Sequence, residues 1–488
     1  MPTDPPLLPG LFGTVVANGF CIGCGVCAAF DPAIRIVFDQ CGRYVATRDS
    51  AGAPLTASAS RVCPFADGLP SETELGREIF GEAGSCDHRI GRHVAAYVGW
   101  VIESDYRAQG SSGGMASWLL VELLKLKAID YVVHVAANPS PQAGPLFRFA
   151  ISSSAGEVRN GAKSRYYPVE MSAVIAEMLR RPGRYAVVGV PCFIKALRLA
   201  CRESTILKQR VTFAVGIVCG HLKSKAFAEL CAWQCGIRPS ELRAIDFRTK
   251  LANHPANDYA VTVTGGNNGH AISSTKPTSE LFGSNWGLGF FKYKACDFCD
   301  DVVAETADVS LGDAWLPEYV SDGHGTNVII ARSSTIASIL LRAKEEGRLH
   351  LEAISADQIV QSQAGGFRHR REGLAYRLAL EDARGRWRPT KRVSPSVAHL
   401  SRKLRRVHDL RQKLSERSHT AFASARQKAD LDAFLEAMRP LTQRYLREYQ
   451  TPLMRRALGK VKRGVLSLGR RLGCPGLNSL RTLPVPKS

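Results

Sequence analysis

Three cysteines near the start of the chain are spaced as ligands of an iron–sulfur cluster. Cys21, Cys24 and Cys27 form the pattern C-x2-C-x2-C. This spacing places three thiolates on one tight turn, where they can point at a single [4Fe–4S] cube. Gly23 and Gly25 relieve the backbone between them and let amides face the sulfides of the cube. The pattern therefore predicts that these thiols hold an iron–sulfur cluster.

A fourth ligand has to come from further along the chain. Cys63 is the preferred candidate because Pro64 follows it, and a Cys-Pro pair is typical of ferredoxin-type cluster ligands. Cys41 and Cys86 are the spare candidates. The alternative is a zinc knuckle or a set of unrelated buried thiols. Zinc usually takes two paired CxxC or Cys/His sets, so the spacing favours the cluster.

Four later cysteines predict a second site. Cys296 and Cys299 form a CxxC pair, while Cys192 and Cys219 each come just after an apolar run of strand length. The carboxyl ends of strands are where α/β folds present ligands, so the four thiolates could meet there. The alternative is two small core cysteines and a separate zinc or redox CxxC pair.

A glycine-rich loop has the features of a phosphate-binding turn. It contains Gln109, Ser111, Ser112, Gly113 and Gly114, and it lies between a strand-like run and a helical stretch. Glycines let the backbone approach a ligand closely, and the start of the next helix offers unpaired N–H groups. The loop matches neither GxGxxG nor a Walker sequence, so a solvated turn is the alternative.

The elements that must position these residues alternate between strands and helices. Apolar runs of strand length and stretches of helical periodicity follow one another through the middle of the chain. Strands are expected at 95–103, 129–136, 186–190, 213–218 and 328–333, and helices at 115–125, 171–181, 193–202 and 335–347. This alternation predicts an α/β (α+β) domain with a partly parallel sheet.

Length and composition limit the class of protein. The chain has 488 residues, 45% of them hydrophobic, which suits two or three globular units. Its 14 cysteines are too sparse for a disulfide scaffold, and no apolar run is long enough to span a membrane. The first ten residues carry no secretory-signal pattern, so we expect a cytoplasmic protein with reduced cysteines.

Positive charge is concentrated at the C-terminal end. The net charge is +21, and residues 384–488 hold 26 Lys and Arg against six Asp and Glu. A linker is expected just after Gly385, followed by Arg-rich helices. The stretch 453–468 has apolar side chains three to four residues apart, so it could lie on an anionic membrane surface or dock on an acidic partner. A plain exposed helix is the alternative. Aromatic residues are few, which disfavours nucleic acid as a partner.

Taken in order, these patterns resemble the family of β subunits of coenzyme F420 hydrogenases and dehydrogenases, which also includes 7-hydroxymethyl chlorophyll a reductase. The resemblance covers about residues 15–380. Besides the cysteines and the glycine-rich loop, the resemblance includes shorter patterns elsewhere in the chain. They are Asp39-x-x-Gly42, Lys163-Ser-Arg-Tyr166, Gly189-x-Pro-Cys192, Ala196-Leu-Arg198, Gly216-x-x-Cys219, Asp246-x-Arg248, Cys296-x-x-Cys299-x-Asp301 and the run from Ala307 to Trp315.

The resemblance implies two domains and a redox function, and the basic tail lies outside it. A ferredoxin-like [4Fe–4S] module would occupy residues 15–90, a flavin and iron–sulfur domain 91–385, and a basic helical tail 386–488. Family members bind FAD and one or two [4Fe–4S] clusters and pass electrons between them. By resemblance, the loop at 112–114 would hold the flavin, and the later four cysteines would hold a cluster beside it.

The expected function is therefore that of an iron–sulfur flavoprotein oxidoreductase. Its substrate would be a deazaflavin or another organic molecule, and its electron donor a ferredoxin-like protein or a partner subunit. The tail adds peripheral membrane binding to the expected cytoplasmic location. One alternative is a non-catalytic electron-transfer subunit of a larger complex, and another is a zinc-binding nucleic-acid protein.

The sequence does not identify a catalytic acid or base. His221, Lys163 and Asp313 are candidates by position only, and a structural role is the favoured interpretation of each. A basic groove for the acidic tail of F420 would have to be built from residues such as Lys163, Arg165, Arg248 and Lys250, which could also form a solvated face.

Overall fold

The computed structural model describes residues 10–48, 56–82, 84–141, 144–266 and 271–450, which are arranged around one large mixed sheet. The strands, in chain order, are β1 (Ile34–Phe38), β2 (Tyr44–Arg48), β3 (Ser85–Asp87), β4 (Gly91–His93), β5 (Ala95–Val101), β6 (Tyr131–Ala137), β7 (Phe147–Ser152), β8 (Tyr185–Gly189), β9 (Val211–Ile217), β10 (Leu242–Thr249), β11 (Ala260–Gly265), β12 (Ile272–Pro277), β13 (Val309–Asp313), β14 (Asn327–Ala331) and β15 (Leu349–Ala353).

Helices precede, connect and follow these strands. They are α1 (Val26–Phe30), α2 (Ala57–Arg61), α3 (Glu72–Phe80), α4 (Tyr106–Gln109), α5 (Met115–Lys125), α6 (Ala155–Asn160), α7 (Ser172–Arg180), α8 (Pro191–Glu203), α9 (Thr205–Arg210), α10 (Ala226–Gln234), α11 (Pro317–Val320), α12 (Ser334–Glu345), α13 (Ala356–Ser362), α14 (Ala364–Arg370), α15 (Glu372–Ala383), α16 (Arg402–Lys428) and α17 (Leu431–Tyr449). Shorter helical turns occur at Phe12–Val16, Pro239–Glu241, Thr278–Glu280, Trp286–Leu288 and Lys294–Phe298.

The central sheet has eight strands in the order β15-β5-β14-β13-β9-β8-β6-β7. The four middle strands, β13, β9, β8 and β6, run parallel, and the strands towards both edges pair antiparallel. Parallel neighbours need a crossover connection, and α7 and α8 supply it between β6, β8 and β9. Tyr185 and Val187 of β8 pack into one core and Ala186 into another, so the middle strands are covered on both faces.

The strands and helices expected from the sequence are present, and their ends differ from the expected ones by at most two residues. The expected excursion at 252–280 contains the antiparallel pair β11–β12, which forms a separate three-stranded sheet with β10. A mixed α/β fold with a partly parallel sheet is thereby confirmed. Within the described ranges, none of the helices is both long and apolar enough to cross a membrane.

The N-terminal region packs directly onto the central sheet. Phe20, Val26 and Val62 belong to the same core as Val187 of β8 and Ile194 of α8. The hairpin β1–β2 and the short helices α1 and α2 surround the first three cysteines. The division into units at 15–90, 91–385 and 386–488 stays a prediction, because this core runs across the first of those boundaries.

The described part of the basic tail is a hairpin of two long helices. Leu414 and Phe422 of α16 and Phe434 and Met438 of α17 are buried in a core that also contains Phe291. The helices are therefore packed onto the rest of the chain along an apolar face. The amphipathic stretch expected at 453–468 lies outside the described residues.

Candidate functional site

A cavity of about 1770 Å³ opens at the carboxyl ends of the parallel strands β8, β9 and β13. That edge of a parallel sheet is where α/β folds place their ligands. The volume exceeds the range of about 300–1,000 Å³ found for most small-molecule pockets, so it suits a ligand of dinucleotide size together with a second molecule. Its walls include residues 110–112, 161–169, 188–190, 217–223, 278–288, 311–313, 361–366 and the inner faces of α16 and α17.

The glycine-rich loop forms one wall of this cavity, between α4 and the start of α5. Ser112 Oγ donates to the carbonyl O of Thr326 at 2.9 Å. Lys250 Nζ donates to three carbonyl oxygens, those of Arg107 at 2.5 Å, His324 at 2.6 Å and Ser112 at 3.3 Å. The loop is therefore held from outside by a lysine, and its cavity side is left to a ligand.

Gly114 shows why this loop needs glycine. Its φ is +85°, and a Cβ there would lie 2.6 Å from the backbone of Tyr106. The left-handed conformation and the lack of space both exclude a side chain. The backbone N–H of Met115 at the start of α5 donates to Asn327 Oδ1 at 3.2 Å, which fixes the helix start against β14.

The basic residues predicted to form a groove are engaged inside the protein. Arg248 forms an ion pair with Asp313 at 3.1 Å, and Lys163 forms one with Asp246 at 2.9 Å. Arg165 Nη2 donates to the carbonyl O of Ala162 at 2.8 Å, beside the ring of Phe147. These contacts give Lys163 and Asp313 structural partners at the cavity wall, and no acid or base role is visible for either.

The first four predicted cysteines are brought together beneath the hairpin β1–β2. Cys24 and Cys27 are buried, and Cys21 and Cys63 are half-buried. Burial, with repulsion from the thiols of Cys27 and Cys63, raises the pKa of Cys24 well above its usual value. The pKa of Cys63 is raised to about 12 by burial, with an added effect of Cys21. We call these four residues the N-terminal thiol set.

Backbone N–H groups beside the N-terminal thiol set are placed to donate hydrogen bonds to a thiolate. The N–H groups of Gly23 and Ala46 both donate to Cys21 Sγ at 3.4 Å. Gly23 has a φ of +62°, and a Cβ there would collide with the carbonyl O of Tyr44. Four soft thiolates with amide donors are the ligand chemistry of an iron–sulfur cube, so the residues present fit that group.

The other four predicted cysteines also come together, at the ends of central strands. Cys219 follows β9, Cys192 lies in the first turn of α8 after β8, and Cys296 and Cys299 come from the turn before β13. Burial, with repulsion from the other three thiols, raises the pKa of Cys192 well above its usual value. Burial raises the pKa of Cys296 to about 12 and that of Cys219 to about 11. These four residues form the central thiol set.

The buried guanidinium of Arg370 faces the central thiol set. Its Nη2 donates to the carbonyl O of Gly220 at 3.0 Å, and its Nε and Nη1 have no oxygen or nitrogen partner among the described residues. The thiols of Cys299, Cys219 and Cys296 raise the pKa of Arg370 against the opposing effect of burial. A positive charge with free donors complements the negative charge of a thiolate-bound cluster, so this site fits as well.

The two thiol sets and the cavity are neighbours. Cys24 of the N-terminal set is close enough to raise the pKa of Cys192 in the central set. Cys219 of the central set in turn lines the cavity. The central set therefore lies beside both the N-terminal set and the cavity.

The other cysteines in the described part of the chain do not join either set. Cys41 is half-buried with Asp39 and Arg43 as charged neighbours, and Cys86 is exposed on β3. Cys201, Cys231 and Cys235 are core residues. Among the described residues, no group of three or more His, Cys, Asp or Glu side chains is arranged to hold a single metal ion. An iron–sulfur cube is larger than one ion, so its ligands stand further apart.

Sequence reasoning missed the role of the segment expected to be a linker. Lys391 is buried, 3.7 Å from Asp300 Oδ1, and its charge acts on both Cys63 and Cys299. Arg392 forms paired contacts with Glu305 at 2.7 and 2.8 Å. The charge run Lys391-Arg392 was visible in the sequence, but nothing local indicated its distant acidic partners.

The chemistry defined so far is that of a mixed α/β protein with two four-thiol sets beside a dinucleotide-sized cavity. Two family models match the chain: the N-terminal part of the coenzyme F420 hydrogenase/dehydrogenase β subunit at residues 96–176, and its C-terminal part at 183–357. Together they cover just over half of the chain. The chain therefore belongs to the family of coenzyme F420 hydrogenase/dehydrogenase β subunits. The central thiol set lies within the second matched region, and the N-terminal set lies outside both.

Individual relatives are distant. One subunit of the F(420)H(2) dehydrogenase of Methanosarcina mazei is 24% identical over 222 residues, which is 43% of this chain and 56% of that protein. The chain thus matches only about half of this relative's length. A chain of the F420-reducing [NiFe] hydrogenase complex from Methanosarcina barkeri is 16% identical, with 59% of this chain and 92% of that chain covered at a TM-score of 0.45.

Proposed function

We propose that this protein is an oxidoreductase that passes electrons between two [4Fe–4S] clusters and FAD, with an organic substrate at the flavin. The single observation that carries the proposal is the order of the N-terminal thiol set, the central thiol set and the cavity. Clusters exchange one electron at a time and a flavin exchanges one or two, so such a series joins a one-electron donor to hydride chemistry.

The electrostatics of the thiols support the clusters. Four thiolates gathered in a low-dielectric site repel each other, which is why burial and mutual repulsion raise the pKa of Cys24 and Cys192. A cluster supplies iron charge that removes this penalty and keeps the sulfurs deprotonated. Arg370 would then donate from its unpartnered nitrogens towards the central cluster.

The cavity supports the flavin. Ser111, Ser112 and Gly114 present backbone at its wall, at the start of α5, where N–H groups favour a diphosphate. Gln109 ends α4 just before this loop and lies outside the cavity lining, so its part in binding would be indirect. The protein's task is to hold the flavin ring beside the central set and to exclude water.

The name of the Methanosarcina mazei relative supports a partner subunit and a deazaflavin substrate. That protein is one subunit of an F420H2 dehydrogenase. By analogy, a partner subunit or a ferredoxin-like donor would deliver electrons at the N-terminal thiol set. A deazaflavin, or another organic molecule, would exchange hydride with the flavin inside the cavity.

The first experiment is anaerobic purification with a visible spectrum and counts of iron, zinc and released flavin per chain. We expect a yellow-brown protein with about eight irons, four for each cube, and one FAD. Four irons with one FAD would reduce the proposal to a single cluster. Zinc without iron or flavin would contradict it and favour the zinc-binding alternative.

A second candidate function is that of an electron-transfer subunit without a reaction of its own, and the name of the same relative favours it. The test adds F420 as the probe and a reduced viologen as an artificial donor to the loaded protein. Reduction of F420 by the isolated chain favours the enzyme. Reduction that requires an added partner favours the subunit. The Cys219→Ser variant is the control, because it should lose the central cluster and with it either activity.

A further inference from the structure

The C-terminal helical hairpin forms one wall of the cavity. Val407, His408 and Arg411 of α16 and Arg439 and Tyr445 of α17 line it. The lining residues Leu404, Val407 and Arg411 of α16, like Leu435, Arg439 and Thr442 of α17, are spaced three to four residues apart, which puts those of each helix on one face. The family models end at residue 357, so this wall belongs to a part of the chain outside the matched regions.

The chamber beneath this wall carries cations without carboxylate partners. Lys223 is 2% exposed, and its Nζ donates to the carbonyl O of Phe290 at 2.7 Å, above the rings of Phe227 and Trp286. Arg411 Nη1 contacts His369 Nδ1 at 3.3 Å, and its buried Nε has no hydrogen-bond partner. Over the described ranges, no ion pair involves Lys223, Arg411 or Arg439.

A further buried polar atom faces the same chamber. His221 is 7% exposed, lines the cavity, and its Nε2 has no hydrogen-bond partner in the described part of the chain. Its ring lies 4.5 Å from that of Trp286. The buried carboxylate of Asp297 is already paired with Lys292 at 2.5 Å and contacts His369 at 3.3 Å.

Burying these cations and unpartnered donors lowers the stability of the fold unless a negative charge enters the chamber. Burial, with added repulsion from Lys292 and Arg411, lowers the pKa of Lys223 to about 7. Buried cations are normally paired, and unsatisfied buried donors destabilise a fold. Lys223, His221 and Arg411 all line the same cavity, where a bound anion would place a negative charge beside them.

We propose that Lys223, Arg411 and Arg439 bind the anionic group, a carboxylate or a phosphate, of the organic substrate. The C-terminal hairpin is then the specificity-determining wall of the site, and Trp286 supplies an aromatic surface beside the anion. This inference rests on the proposed function, since it places the substrate in the cavity that the flavin shares.

The test is calorimetric titration of the loaded protein with two probes of the same ring, benzoate and phenyl phosphate, and with neutral benzamide. We expect at least one anion to bind and to perturb the flavin spectrum, and benzamide to do neither. The stronger of the two anions identifies the group for which the chamber is built. Equal binding of benzamide, or no binding of either anion, would overturn the inference.

Arg411→Gln and Arg439→Gln should each weaken anion binding roughly tenfold or more, the usual effect of losing a hydrogen bond to a charged group. Arg411→Lys should recover part of the affinity. Arg417→Gln removes an exposed arginine of the same helix outside the cavity, so it should bind as the parent does. Unchanged affinity in Arg411→Gln would also contradict the inference, and circular dichroism verifies that each variant folds.

The FAD content of the variant and of the parent protein distinguishes a failure of this inference from a failure of the proposed function. If Arg411→Gln loses FAD instead of anion affinity, the cations serve the flavin diphosphate and the inference is wrong. If the parent protein carries no flavin yet binds the anions by calorimetry, the proposed function fails and the anion site stands.

Discussion

At the scale of single residues, the electrostatic environments of Cys63 and of the spare cysteine Cys41 differ, and only that of Cys63 includes another member of the N-terminal thiol set. Cys63 shares its electrostatic environment with Cys21, whereas the neighbours of Cys41 are Asp39 and Arg43. We therefore expect Cys63→Ser to lose about half of the iron, one cube of two, while Cys41→Ser keeps all of it. Iron analysis and electron paramagnetic resonance measure this. Loss of iron in Cys41→Ser instead would assign the fourth ligand to that residue.

The buried charge of Lys391 should affect the reduction potentials of the two proposed clusters. Its buried positive charge acts on one thiol of each set and therefore stabilises the reduced, more negative form of both clusters. Lys391→Met should lower both potentials by tens of millivolts, as followed by anaerobic redox titration. Lys391→Arg keeps the charge and serves as the control. Potentials that stay unchanged in Lys391→Met would show that the charge is screened.

At the scale of elements, the glycine-rich loop depends on the lysine after β10. Lys250→Met removes three hydrogen bonds from an ammonium, one to the carbonyl O of Ser112 in the loop and two to those of Arg107 in α4 and His324 before β14, so the loop loses its outer anchor. We expect the Kd of FAD to rise about tenfold, the effect of one such bond. Lys276→Met is the matched control, because Lys276 donates to a backbone carbonyl away from the loop, that of Gln234 at 2.7 Å. An unchanged Kd in Lys250→Met would mean that the loop holds its shape alone.

The same lysine predicts a pH dependence. Burial, with repulsion from Lys163 and Arg107, lowers the pKa of Lys250 to about 8 from 10.5. A lowered pKa means that the folded protein releases this proton as pH rises through about 8, well before an unburied lysine would. FAD affinity should therefore be constant below pH 7 and fall above pH 8. Lys250→Met should lack this inflection, and fluorescence titration of FAD across pH 6 to 9 would show whether it does.

The ends and the burial of an element were predictable from the sequence where charged side chains do not mask its apolar residues. β8 and α5 were predictable to within two residues, because β8 is a continuous apolar run and α5 is bounded by glycines and a polar C-terminus. The burial of α16 was not, because its many Arg side chains mask the apolar face formed by residues such as Leu414 and Phe422.

The candidate site, too, was predictable from the sequence only in part. The sequence predicted two sets of four cysteines from strand ends and CxxC spacing, which are local signals, and the ligand role of these cysteines stays a prediction. It could not predict that Lys391 lies beside the two thiol sets and Arg411 beside the cavity. Their partners are far away in sequence, as with Lys391 and Asp300, and only the packing of the tail onto the body brings them together.

At the scale of the whole molecule, the tail hairpin and the cavity should unfold together. Phe434 of α17 is fully buried against Phe290, Phe291 and Phe422, which belong to both the hairpin and the body. Phe434→Ala should lower the free energy of unfolding by about 3–5 kcal/mol, the usual cost of deleting a buried aromatic ring.

Urea unfolding followed by far-ultraviolet circular dichroism and by flavin fluorescence measures this coupling. Because one core joins hairpin and body, Phe434→Ala should shift both signals to the same lower urea concentration. Leu341→Ala, on the exposed face of α12, should shift neither by more than about 0.5 kcal/mol. A flavin signal that keeps its midpoint in Phe434→Ala would mean that residues 386–450 unfold as a separate unit. The hairpin could then not act as a rigid wall of the substrate site.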